Sequence, residues 1–310
     1  MKITIVIPVL NGIKYIGQCV VSLRQMDTCG HVVDIIVVDN GSSDGTVELL
    51  KELGVFCTVH RGVTVSQLRN IGAGYAVGPF VGFVDSDCLV RRDWLVKALE
   101  VMASDDRIGV VGSFYGVGDD PTWVEELWCD RKGGIEGGVA FLPAGNMFVR
   151  KDLFDALGGF STTLVTGEDY EFCRRVRSCD KLVFSAPSVA VKHLGNVKML
   201  RDIVRKERWY GLGMFAGNVF TSKPLISSFA FVLLCAGTAL SLLFAREYLA
   251  VLLALLFALL VVVSLGFCRT AQSFNLVKLF QFLPISACYM LGRFLSVWDL
   301  VMLKSKRTWG

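Results

Sequence analysis

No C-x-x-C pair occurs among the ten cysteines, and no G-x-G-x-x-G loop follows the first apolar run of the chain. The first absence leaves neither a clustered-thiol metal site nor a disulfide framework, so the cysteines read as reduced, mostly buried thiols. The second counts against a dinucleotide oxidoreductase, and the lack of G-x-x-x-x-G-K-[ST] counts against a P-loop ATPase. Charge is scarce as well: 19% of the 310 residues are charged against 53% hydrophobic, too apolar for an ordinary soluble enzyme of this length. The opening MKITIVIPVLNG is apolar but breaks at Pro8 and Asn11, too early for the core of a cleavable signal. The large domain is therefore expected to stay in the cytoplasm.

The apolar surplus lies behind Lys223. Leu225 to Ala245 and Tyr248 to Phe267 each run about 20 residues without a charge, the length a helix needs to cross a bilayer. Only Arg246 and Glu247 separate them, which predicts an antiparallel helical hairpin. A third stretch, 276–303, is interrupted by Lys278, Gln281, Pro284, Arg293 and Asp299, and reads as an interfacial or protein-packed amphipathic segment in preference to a third span. Two spans place the basic residues before the hairpin (Lys192 to Lys223) and after it (Arg269, Lys278, Lys304, Lys306, Arg307) on one side, the cytoplasmic one. The expected division is thus 1–215 for a soluble domain and 216–310 for a membrane region.

Within the soluble part, Ile3 to Ile7, Val32 to Val38, Val55 to Val59 and Phe80 to Val84 read as strands without a polar face, alternating with helices up to Arg24, Leu53 and Val77. This pattern predicts an α/β fold with a mostly parallel sheet covered on both sides. Ligands of such sheets bind beyond the carboxyl ends of the strands. Asn11, the pair Asp39 and Asn40, and the pair Asp85 and Asp87 all follow strand ends, so polar groups collect on one rim.

The strings IPVLNG, VVDNGSSDGT, SQLRNIGAG, FVDSDC, AGNMFVRKDLFDALGGF and TGEDYEFCRRV stand in the order and spacing seen in family 2 glycosyltransferases with the GT-A fold, which residues 1 to about 215 resemble. The resemblance implies an inverting transferase that takes a sugar from a nucleotide-diphosphate donor with the help of Mn2+ or Mg2+. A hard divalent ion held by carboxylate offsets the charge that builds on the leaving diphosphate. Asp87 is expected as its direct ligand, with Asp85 as a ribose contact or a carboxylate beside the ion, since the strand breaks into a turn between them. His193 could ligate the ion, touch the diphosphate or be an ordinary core or surface histidine.

By the same resemblance Pro8, Val9, Asn11, Asp39 and Ser86 line the donor pocket, with Asp39 accepting from the base. Arg69 sits near the base or diphosphate, or is a surface arginine. Asn40 stands where many relatives carry a second aspartate, which leaves the base identity open. Asp169, at a helix start that favours the ionised form, is implied as the base that takes the acceptor proton. Asn146, Glu168, Arg208 and Trp209 fall on the acceptor or diphosphate side. The basic run from Lys192 to Arg208 is a solvated helix, or meets anionic headgroups and the phosphates of a lipid-linked acceptor. The expected partners are a UDP- or GDP-sugar, with a lean to GDP-mannose, a lipid-linked or membrane-associated acceptor and the bilayer. Alternatives kept open are a bare polyprenyl-phosphate acceptor and a catalytically silent membrane scaffold. A nucleotidyltransferase is disfavoured because its glycine-rich, arginine-containing N-terminal loop is lacking.

Overall fold

The structure, a computed structural model, describes residues 1–130, 134–214, 223–244, 246–268 and 275–302. In chain order the first elements are β1 (Lys2–Val9), α1 (Ile16–Gln25), β2 (Val32–Asp39), α2 (Thr46–Glu52), β3 (Phe56–Val59), α3 (Val65–Gly74), β4 (Phe80–Val84) and β5 (Cys88–Val90). There follow α4 (Trp94–Ser104), β6 (Ile108–Gly112), α5 (Trp123–Asp130), β7 (Gly137–Gly138), β8 (Asn146–Arg150), α6 (Lys151–Ala156), α7 (Glu168–Ser178), β9 (Leu182–Ser185) and β10 (Val191–His193). Four helices complete the described chain: α8 (Leu200–Met214), α9 (Lys223–Phe244), α10 (Leu249–Cys268) and α11 (Leu276–Met302). The described residues form two compact units, 1–119 with 134–196, and 120–130 with 197–302.

The first unit is an eight-stranded sheet in the order β3-β2-β1-β4-β8-β6-β9-β7. β1 is parallel to both neighbours, β2 and β4, and β2 is parallel to β3. All of β1 beyond Lys2 is buried, as expected of a central strand covered on both faces. Its alternate residues serve opposite cores. Ile3, Ile5 and Ile7 pack with Ile16, Val20 and Leu23 of α1 and Trp94 and Leu95 of α4, while Val6 joins Phe83, Phe154, Phe160 and Phe172. Beyond β4 the sheet becomes mixed, because β8 runs antiparallel between β4 and β6. The small ribbon of β5 and β10 is antiparallel and separate, with His193 opposite Cys88.

In the second unit α9, α10 and α11 are each long and apolar enough to cross a membrane. The two expected spans coincide with the helices α9 and α10 to within two residues at each end. Segment 276–303 is one continuous helix to Met302 despite Pro284, and its apolar length also suffices to span. Two of the charges that argued against insertion are matched by α8: Arg293 Nε lies 2.6 Å from Glu207 Oε2, and Arg208 pairs with Asp299. Gly211 and Gly292 sit where the two helices meet, and a Cβ on Gly211 would fall 2.0 Å from Ser296 Oγ. Arg269, Lys304, Lys306 and Arg307, which entered the charge argument, lie outside the described residues, as do 215–222, 245 and 303.

Candidate active site

Three parallel neighbours, β2, β1 and β4, end at Asp39, Val9 and Val84, so their following loops share one rim. The loops after β1 and β2 are stitched together. Asn11, in the left-handed region at φ 51°, donates its N–H to Ser42 Oγ (2.7 Å) and accepts from Ser43 N (3.0 Å), while Gly12 N donates to Thr46 Oγ1 (2.9 Å). Asp44 accepts from Ile13 N and Thr46 N just outside Gly45, the N-cap of α2. Pro8 and Val9 are buried at the end of β1, where the first of these loops begins.

Asp39 is fully buried, and its carboxylate accepts from Gly41 N (2.7 Å), Ser42 N (2.8 Å) and Ser42 Oγ (2.5 Å). Its visible work is to fold the 41–43 loop. Asn40 explains itself here: Nδ2 donates to Val63 O (3.0 Å) and Oδ1 accepts from Val63 N (3.1 Å). An aspartate could make only the second of these bonds.

At the end of β4 the chain turns, with Cys88 N donating to Asp85 O at 3.0 Å across half-exposed Ser86. The turn separates the two acids, as the sequence predicts. Asp85 accepts from Arg69 Nη2 (2.7 Å) and from Tyr115 OH (2.9 Å). Burial would raise its carboxyl, but the Arg69 guanidinium above all holds it below the usual carboxylate range. Gly145 is required beside it, since a Cβ there would stand 1.9 Å from Asp85 Oδ2.

Arg69 lies in the second turn of α3, which opens on a Thr64–Gln67 capping box. It is no surface arginine: its side chain is 5% exposed, and Nη1 donates to Glu168 Oε1 at 2.7 Å. Burial alone would lower the guanidinium, and Asp85 and Glu168 outweigh it. Arg69 therefore ties the end of β4 to the first residue of α7. Asn70 ties α3 to the turn before α7 with paired bonds to Phe160 N and O.

Helix α7 starts after Gly167, held at φ 85°, and carries Glu168, Asp169 and Glu171 in its first turn. Glu168 is committed to Arg69 and Glu171 to Arg175, while half-buried Asp169 accepts from Tyr170 N. Adjacent helical residues do not share a face, so Asp169 is aimed differently from Glu168.

Across the ribbon, His193 Nε2 lies 3.4 Å from Asp87 Oδ1, and the Tyr115 ring lies against the imidazole, centroids 4.3 Å apart and planes tilted by 34°. Leu194 N donates to Asp87 O (2.8 Å), and a Cβ on Gly195 would fall 2.0 Å from Asp87 Oδ2. Asp87, Cys88 and His193 bring a carboxylate oxygen, a sulfur and a ring nitrogen within 4.8 Å of one another. A carboxylate and an imidazole form a donor set that suits a divalent cation, so these residues fit a metal. Cys88 is fully buried, which pushes its thiol well up.

The structure thus brings together Asp85, Asp87, His193, Arg69 and Glu168. Others are held by contacts of their own. Asn146 is fully buried with Oδ1 accepting from Trp94 Nε1 and Nδ2 donating to Ser113 O and Val189 O, so its amide braces the sheet. Arg208 and Trp209 belong to α8 of the helical unit, where Trp209 leans on Tyr210 at 5.3 Å. Tyr115, Gly145 and Gly195 escape a sequence reading, because each matters only through a partner far along the chain.

Comparison with solved structures defines the fold class. The mannosyltransferase PcManGT from Pyrobaculum calidifontis, in complex with GDP-Man and Mn2+, matches 96% of this chain and 87% of its own with a TM-score of 0.67 at 17% identity. The two share the GT-A fold. Residues 4–158 match glycosyl transferase family 2, residues 134–300 match glycosyl transferase family 21, and the chain belongs to the family 2 glycosyltransferases. Curated relatives include the pre-mycofactocin glycosyltransferase of Mycobacterium tuberculosis, 26% identical over 77% of this chain, and glycosyltransferase AglE of Haloferax volcanii, 25% identical over 56%. This chain spans 53% and 60% of those two proteins.

Proposed function

We propose that the protein transfers one sugar, with inversion, from a nucleotide-diphosphate sugar to a lipid-linked or membrane-associated acceptor at the cytoplasmic membrane face. The observation that carries this reading is the placement of Asp87 against His193, joined through Asp85 and Arg69 to the acidic start of α7. Asp87 and His193 would hold a divalent ion, Mn2+ or Mg2+, which when bound offsets charge on the leaving diphosphate. The stitched loops at Asn11 and 41–43, shaped by Asp39, offer the wall for the nucleoside. Arg69 and Tyr115 fix Asp85 beside the metal ligands, and Arg69 fixes α7. Asp169 accepts the proton of the acceptor hydroxyl as its oxygen attacks the anomeric carbon opposite the diphosphate.

The soluble domain is read as 1–215 and the membrane region as 216–310, with the three apolar helices as the anchor. Exposed Arg201 and Arg205 on α8 suit the phosphates of lipid headgroups or of the acceptor. The donor is read as a UDP- or GDP-sugar, with the lean to GDP-mannose that the family resemblance implies. The test is a panel of UDP- and GDP-sugars offered with Mn2+ and with chelator. One donor should be turned over with metal and none with chelator; turnover undiminished by chelator would contradict the proposal.

A further inference from the structure

We infer that Cys88 makes the Asp87–His193 pair a zinc trap, in which Asp87, Cys88 and His193 together take Zn2+ and hold the position against the harder ion that sugar transfer uses. The inference rests on the reading of Asp87 and His193 as the metal site. A hard ion such as Mg2+ is satisfied by oxygen ligands and has little use for sulfur. Zn2+ takes thiolate, imidazole and carboxylate together, commonly as three protein ligands with one open position. Zn2+ also binds a given nitrogen and oxygen site more tightly than Mn2+ does.

The three donors are close because of how the ribbon is built. Asp87 directly precedes Cys88, and the β5–β10 register sets His193 opposite Cys88. The Leu194 N–H bond to Asp87 O and the tight fit of Gly195 against Asp87 Oδ2 fix the carboxylate in that frame. The donor atoms lie within 4.8 Å of one another, so small side-chain adjustments bring them to one ion. On binding, the Cys88 Sγ–H proton passes to solvent and the freed electron pair forms the Zn–S bond; nothing is oxidised or reduced. Zinc in excess should then suppress transfer by occupying the site.

Cobalt reports thiolate ligation directly. Full-length protein in detergent is titrated with Co2+, and a thiolate-to-cobalt charge-transfer band in the near ultraviolet is expected, bleached by added Zn2+. The band should vanish in Cys88→Ser and persist in Cys19→Ser. Asp87→Asn and His193→Gln retain the thiol and should each lose or greatly weaken the band, which decides the matter if Cys88→Ser does not fold. No band in the wild type, or a band that survives Cys88→Ser or both of the other substitutions, overturns the inference. Nucleotide binding with Mn2+ is titrated on the same samples. Mn2+-dependent nucleotide binding without a cobalt–thiolate band would leave the transferase reading standing and remove only the trap.

Discussion

Arg69 Nη2 stands 2.7 Å from Asp85 Oδ1 in a site where the arginine side chain is 5% exposed. The other end of the same guanidinium holds Glu168, 99 residues further along the chain. One buried cation thus sets the distance between the acid turn that bears Asp87 and the helix that bears Asp169. Removing one partner of such a pair leaves uncompensated buried charge, which costs about 3–5 kcal/mol. Arg69→Met should therefore lower the thermal midpoint and depress turnover together. Arg69→Lys, able to reach one carboxylate at a time, should fall between it and the wild type. Thermal unfolding and steady-state rates of both variants check this, and a wild-type midpoint in Arg69→Met would mean that the strut carries no strain.

Gly195 is the second pressure point. An alanine there must displace Asp87, whose Oδ2 would lie 2.0 Å from the new Cβ. Metal-dependent nucleotide affinity should drop by about 10- to 100-fold, the usual loss when a metal ligand is pushed out of line. Calorimetric titration with Mn2+ measures it, and an unchanged affinity would free Asp87 from the role assigned to it.

Asn40→Asp tests the loop that Asp39 folds. The substitution removes the donor bond to Val63 O and sets a second carboxylate beside Asp39. A loss of about 1–3 kcal/mol is expected from the carbonyl left without its donor. Chemical denaturation of the full chain in detergent would show it; a more stable variant would contradict the assignment.

Asp169→Asn keeps size and removes basicity. On a hydroxyl acceptor it should cost on the order of 10²-fold or more in turnover, with donor affinity nearly unchanged. A polyprenyl phosphate is already anionic and needs no base, so the variant should retain whatever turnover the wild type has on that acceptor. Side-by-side rates on a lipid-linked saccharide and on polyprenyl phosphate separate the two, and normal turnover of the variant on the saccharide would remove Asp169 as base.

What could be read beforehand followed from local pattern. Val32 to Val38, apolar but for Asp34, and Phe80 to Val84 are short apolar runs, and they became β2 and β4 almost residue for residue. The Leu225 and Tyr248 runs likewise became α9 and α10. The antiparallel insertion of β8 was not legible, since NMFVR carries no period that distinguishes its direction. The resemblance put Asn146 on the acceptor or diphosphate side, while in the structure Trp94, Ser113 and Val189, distant in sequence, hold its amide. Of the charges in α11, Arg293 and Asp299 meet Glu207 and Arg208 of α8, a pairing that no local pattern announces. Tyr115 could not be found at all from the sequence, because its value lies in touching Asp85 and His193 at once.

The most direct test of the account is nucleotide titration by calorimetry on wild type and Asp87→Ala, each with Mn2+ and with chelator. Wild-type protein should bind the nucleotide diphosphate of its donor tightly with Mn2+ and weakly without. Asp87→Ala should bind weakly in both, because the ion has lost its carboxylate. Equal, Mn2+-dependent affinity in the two proteins would contradict the placement of the metal at Asp87.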